Sequence, residues 1–95
     1  MEQEESNRIV ITVLGEDKVG LVAKITGILA EHEANIIDIT QTLLQDLFSM
    51  IMLVNIEELN TSFEELQQEL KEAGEELNVK VKTQHEDVFR YMHRV

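Results

Sequence analysis

Two stretches of this chain are apolar on both faces when read as β-strands, and that restricts the folds open to it. In residues 8–14, Ile9, Ile11 and Val13 fall on one side of the pleat, and Val10 and Leu14 fall on the other. In residues 48–56, Phe48, Met50, Met52, Val54 and Ile56 oppose Ile51 and Leu53. A strand with one wet face alternates apolar and polar instead, as residues 79–83 do, with Val79 and Val81 set against Lys80 and Lys82. The two doubly apolar runs therefore belong in the centre of a sheet.

The elements between them complete the order. Gly15 closes the first strand, and Asp17 is expected to cap the helix that follows. In that helix Leu21, Val22, Ile25, Ile28 and Leu29 recur at helical spacing, and Gly27 suggests close packing on the sheet. Residues 35–44 and 48–56 read as strands joined by a short hairpin turn at Gln45, Asp46 and Leu47. Ser62-Phe63-Glu64-Glu65 has the form of a capping box. Phe63, Leu66, Leu70 and Ala73 follow on one face, with Gly74 as the expected C-cap. Residues 79–83 make a fourth strand, and Val88, Phe89 and Met92 favour a short tail helix. The order β-α-β-β-α-β specifies an α+β, ferredoxin-like sandwich: a four-stranded antiparallel sheet with two helices on one face. The expected boundaries are an acidic N-terminal extension at 1–7, the domain at 8–84 and the tail helix at 85–95.

Two helices cover only one face of such a sheet. The other face, apolar along both central strands, needs the tail helix, a second subunit or both to cover it, and a two-fold homodimer is the default.

Composition narrows the function. With 95 residues and 43% hydrophobic content, the chain suffices for one globular domain. It has no cysteine, hence no disulfide, thiolate metal site or thiol nucleophile. A net charge of −11 argues against nucleic-acid binding, which needs basic groups to neutralise phosphates. Eight glutamates (Glu57, Glu58, Glu64, Glu65, Glu69, Glu72, Glu75 and Glu76) face one lysine, Lys71, in residues 57–76. That reads as a solvated helix face or as a docking face for a basic partner. The acidic start lacks the apolar stretch of a signal peptide, and no apolar run is long enough to span a bilayer, so a cytoplasmic protein is expected.

One motif stands out. Asp17-Lys18-Val19-Gly20-Leu21-Val22 opens the first helix, and Ala34-Asn35-Ile36 opens the second strand. A helix N-terminus offers free N–H groups to a carboxylate, a glycine there admits close approach, and an asparagine both donates and accepts. This pattern, in this element order, resembles the ACT domain, and in particular small stand-alone ACT proteins of bacteria and archaea and the ACT modules of the glycine-cleavage repressor. The resemblance covers residues 9–83. It implies a ligand held between two domains, against the first strand-to-helix loop and the start of the second strand. The residues so implied are Asp17, Gly20, Leu21, Val22, Asn35 and Ile36, with Asp17 taking the α-ammonium group. The chain departs from the pattern at Val19, where proline is common, and at Gly15, where some amino-acid-binding members carry a polar side chain. The same residues also have purely structural readings: Asp17 as N-cap, Gly20 as a packing residue, Asn35 as a turn former.

No catalytic constellation is evident. The glycines form no phosphate loop, and Ser6, Ser49 and Ser62 have no evident histidine partner. His32, His85 and His93 read as surface residues, although Glu86 and Asp87 beside His85 could join a weak cation site. The expectation is a non-catalytic regulatory ACT domain without cofactor or bound metal. It binds a small amino acid or similar small anion at a homodimer interface and modulates a partner. The alternative is a ligand-free interaction module that docks a protein through its acidic second helix.

Overall fold

The computed structural model describes residues 7–16 and 20–92, and of Met92 only its place in a helix. The elements are β1 (Arg8–Glu16), α1 (Leu21–Glu31), β2 (Asn35–Leu44), β3 (Leu47–Asn55), α2 (Phe63–Leu77), β4 (Lys80–His85) and α3 (Glu86–Met92). The sheet runs β2-β3-β1-β4 with every neighbour antiparallel, so the two doubly apolar strands are the central ones.

The core is built from one face of each central strand and the apolar stripes of two helices. Ile9, Ile11, Val13, Met50, Met52 and Val54 are fully buried, as are Ile25 and Leu29 of α1 and Leu66 and Leu70 of α2. On the opposite face Val10 is also buried but stands outside this cluster. Its cover is α3, which contacts β1 and β4 and is tied down beside Val10 by an ion cluster. The Arg8 guanidinium donates to both Glu86 carboxylate oxygens at 2.9 and 2.8 Å, and Arg90 donates to Glu86 Oε2 at 3.1 and 3.0 Å. The tail helix thus covers one end of this face. At the other end Leu14 is 50% exposed and Ile51 40%.

Burial works against ionising Glu86, yet Arg8 and Arg90 outweigh it and hold the carboxyl below its ordinary value. A folded-state pKa depressed in this way adds stability above the unfolded value, and that stability is lost as pH falls through the folded one. Acidification below about pH 4.5 is therefore expected to release α3 before the sheet melts. Amide exchange at residues 86–92 between pH 6 and about 3 checks this; exchange that accelerates uniformly across the chain would contradict it.

Several element ends differ from expectation. β1 continues through Gly15 to Glu16, and α1 is capped by Gly20 itself, with no side-chain cap. Asp17, the expected cap, lies outside the described residues. Gly74 is no C-cap: α2 runs on to Leu77, and Asn78 takes the left-handed conformation at φ 64°. The reason for glycine at 74 is contact, because a Cβ there would meet Val81 Cγ2 at 2.6 Å and the Val79 carbonyl at 3.0 Å. Gly27 is the reverse case: it is exposed, and a Cβ on it would meet no atom within 4 Å. Ser62 caps α2 as expected, its Oγ accepting from the Glu65 N–H at 3.1 Å. The Glu65 carboxylate, however, takes the Thr61 hydroxyl at 2.7 Å instead of closing the box.

Gly74→Ala gains up to about 1 kcal/mol of helix propensity but overpacks the α2–β4 seam, at a cost of about 1–3 kcal/mol. The expected net is a loss of about 1–2 kcal/mol in urea unfolding, whereas Gly27→Ala should stabilise.

Candidate functional site

Helix α1 is preceded by Gly20, whose backbone sits in the left-handed region at φ 86°. Gly20 is exposed, and among the described residues no atom beyond its chain neighbours lies within 4 Å of where a side chain would begin. The helix starts there, with Lys24 N–H bonding the Gly20 carbonyl at 2.9 Å. The first-turn N–H groups of an α-helix lack intrahelical acceptors, and this first turn carries no acidic residue. Leu21 is buried, and Val22 is partly buried against the core.

Asn35 stands at the other end of α1. It is exposed at the start of β2, paired across the sheet with Asn55, and opens a cavity of about 380 Å³. Glu33, Asn55, Glu57 and Glu58 line the same cavity, an acidic setting suited to an ammonium group. Sequence reading missed these four, because the sheet register that sets Asn55 opposite Asn35 is a tertiary fact. Ile36 beside Asn35 is turned into the core margin.

The implied ligand residues do not converge within one chain. Eleven residues of helix separate Gly20 from Asn35, a rise of about 16 Å. The sheet agrees: Glu16 pairs with Leu47 and Leu47 with Leu44, whereas Arg8 pairs with Asn55 and Asn55 with Asn35. Gly20 therefore lies at the Leu44 end of the sheet and Asn35 at the opposite end.

A second concavity, of about 480 Å³, runs between α1 and α2. Ala23, Gly27, Ile28 and Ala73 give it an apolar floor, and Glu31, Glu69, Glu72 and Glu76 line its walls. Lys24 reaches Glu76 at 3.5 Å across an exposed pair. At one end His32 is fixed from both sides, its Nε2 2.6 Å from Glu69 Oε1 and its Nδ1 3.1 Å from Asn60 Oδ1. The Glu69 carboxylate, then the Asn60 carbonyl, raise the His32 pKa above the ordinary imidazole value. Nor is His85 a surface residue: it is half-buried and stacks on Phe63 with ring centroids 4.2 Å apart. Glu86 beside it is committed to the two arginines, and His93 lies outside the described residues.

β2 itself is the other notable surface. It is a sheet edge, and every residue from Ile37 through its end at Leu44 is exposed, including Ile37, Ile39, Leu43 and Leu44, as is Leu47 at the start of β3.

Comparison with known proteins places the chain. A family model described as ACT domain matches residues 7–84. The chain belongs to the ACT domain family. A UPF0237 protein of Methanocaldococcus jannaschii is 53% identical over 89 residues, covering 94% of this chain and 99% of that protein. Among solved structures, an ACT domain protein from Streptococcus pneumoniae superposes with a TM-score of 0.75 at 40% identity, covering 86% of this chain and 92% of that one. A putative glycine cleavage system transcriptional repressor superposes with a TM-score of 0.72 at 21% identity, covering 81% of this chain and 44% of that one, a likeness of fold. Among the described residues no helix is long and apolar enough to cross a membrane.

Proposed function

We propose that this protein is a stand-alone, non-catalytic regulatory ACT module that pairs with a second copy along β2 and binds a small amino acid, or a similar small anion, between the two copies. The observation that carries this reading is the separation of Gly20 and Asn35 to opposite ends of one domain, beside an exposed apolar edge strand. A two-fold axis normal to the sheet sets the two β2 strands antiparallel. The start of one β2 then lies beside the end of the other, so the partner copy's Asn35 arrives at the Gly20 end. The helices of both copies remain on the same side. A ligand carboxylate sits on the first-turn N–H groups of one copy, and its ammonium group faces Asn35 and the acidic cavity of the other. Binding then favours one arrangement of the pair, which a partner protein reads.

Thermal unfolding in the presence of each of the twenty amino acids at millimolar concentration tests the reading. A ligand at about 100 times its Kd adds about 2.7 kcal/mol. The expected result is a selective rise in Tm that Asn35→Ala diminishes; a flat response to all twenty would remove the amino-acid site.

The runner-up is a ligand-free docking module, favoured by the carboxylate-lined groove between α1 and α2. On that reading, changing Glu65, Glu69 and Glu72 to lysine abolishes capture of a basic protein partner while leaving any response to amino acids intact.

A further inference from the structure

We infer that His32, Glu69 and Glu31 form a binding site for a divalent first-row transition cation at the end of the α1–α2 groove. The three donor atoms, one imidazole nitrogen and two carboxylate oxygens, lie within 4.8 Å of one another. A cation with bonds of about 2.0–2.2 Å wants such donors about 3–3.5 Å apart. The adjustment, which includes opening the 2.6 Å contact between His32 Nε2 and Glu69, falls on carboxylates free to make it, since the Glu69 side chain is 43% exposed and Glu31 is exposed.

What sets this apart from a chance meeting of charges is the control of the imidazole. Asn60 donates its side-chain Nδ2–H to the Glu31 carbonyl at 3.1 Å, which turns its Oδ1 toward His32 Nδ1. Nδ1 therefore donates to Asn60, and Nε2 donates to the Glu69 carboxylate at 2.6 Å. An acceptor that holds Nδ1–H is the arrangement metal-ligating histidines use, and a cation binding here would displace the Nε2 proton and take its place beside Glu69. The backbone is held as well: the Asn60 N–H bonds the His32 carbonyl at 3.1 Å, and the His32 N–H bonds the Ile28 carbonyl at 3.2 Å. The ring thus projects from a fixed helix end, between the loop that carries Asn60 and helix α2.

The donor set selects the cation. Imidazole with two carboxylates suits zinc, cobalt, nickel or iron(II) better than magnesium or calcium, which favour all-oxygen shells. Three protein donors leave positions for water or for a fourth ligand. A bound cation would clip the C-terminal end of α1, the Asn60 loop and α2 together.

The test is titration of the intact chain with Zn²⁺ by calorimetry, in millimolar Mg²⁺, alongside His32→Gln, Glu69→Gln and Asn60→Ala. The expected result is one ion per chain, with affinity falling at least about tenfold in each variant. A smaller fall in either ligand variant, or no saturable binding by the native chain, overturns the site and leaves only adventitious binding to the acidic surface. Nitrogen NMR of the native chain decides the matter even where a variant fails to fold. Zn²⁺ must shift His32 Nε2 while Nδ1 keeps its proton, and an unmoved Nε2 overturns the proposal.

Discussion

Ile11→Ala is expected to cost about 2–5 kcal/mol of folding stability. Ile11 sits at the middle of a central strand, opposite Met52 on one side and Thr83 on the other, with none of its surface exposed. Truncation removes the transfer free energy of three carbons and leaves a cavity that neighbours on two strands and two helices cannot collapse into. A domain of this size has roughly 5–15 kcal/mol in total, so the loss is a large share of it. The expected fall in Tm is roughly 10–30 °C. Leu44→Ala provides the contrast, because Leu44 is 69% exposed at the hairpin tip and its truncation should change chain stability by less than about 0.5 kcal/mol. Similar losses in the two variants would contradict the placement of the core.

The second large effect is on association. Changing Ile39 and Leu43 together to lysine puts two like charges on the β2 edge of each copy and removes apolar surface that is exposed in one chain. The two-fold arrangement brings the charge at Ile39 close to its own copy at the axis, while the charge at Leu43 faces the start of the other β2. We expect dimer dissociation to strengthen by at least about 100-fold, equivalent to about 2.7 kcal/mol, with the circular dichroism of the folded chain unchanged. Sedimentation equilibrium reads the change. A native chain that remains monomeric at high concentration, or a variant that associates as well as the native chain, would contradict pairing along β2.

Much of the architecture was legible because strand periodicity survives in tertiary structure. Apolar residues on both faces of residues 8–14 and 48–56 marked the two central strands, and the structure buries Ile9, Ile11 and Val13 with Phe48, Met50, Met52 and Val54 on the core face they share. Local chemistry was less reliable where a distant contact overrides it. Gly74 looks like a helix terminator in one dimension, but β4 passes so close that only glycine fits, and the left-handed turn falls to Asn78. Gly15 looks like a strand end for the same reason, although a Cβ there would lie 2.5 Å from Val79 Cγ1. The exposure of Ile39 and Leu43 on β2 was hidden too, since it depends on helix coverage.

For the candidate site, the arrangement was hidden. Gly20 is exposed at a helix start and Asn35 at a strand start, but the motif gives no sign that one helix length separates them. The carboxylates around Asn35 come from the loop after α1 and from the segment after β3. The clamp on His32 likewise joins residues 28 and 37 positions apart in sequence. Such neighbourhoods depend on register and packing, which a linear pattern does not encode.

The most direct measurement is complementation between two defective chains, using the amino acid selected by the thermal screen. Gly20→Asp sets a carboxylate against the ligand's own, at a cost in backbone strain because φ 86° favours glycine; Asn35→Ala removes the amide at the other pole. A mixed dimer is purified through different tags on the two variants, and ligand binding is measured by calorimetry. If each site takes Gly20 from one copy and Asn35 from its partner, the mixed dimer regains one site of native affinity, while each variant alone binds at least about tenfold more weakly. A mixed dimer as weak as its parents would contradict a shared site.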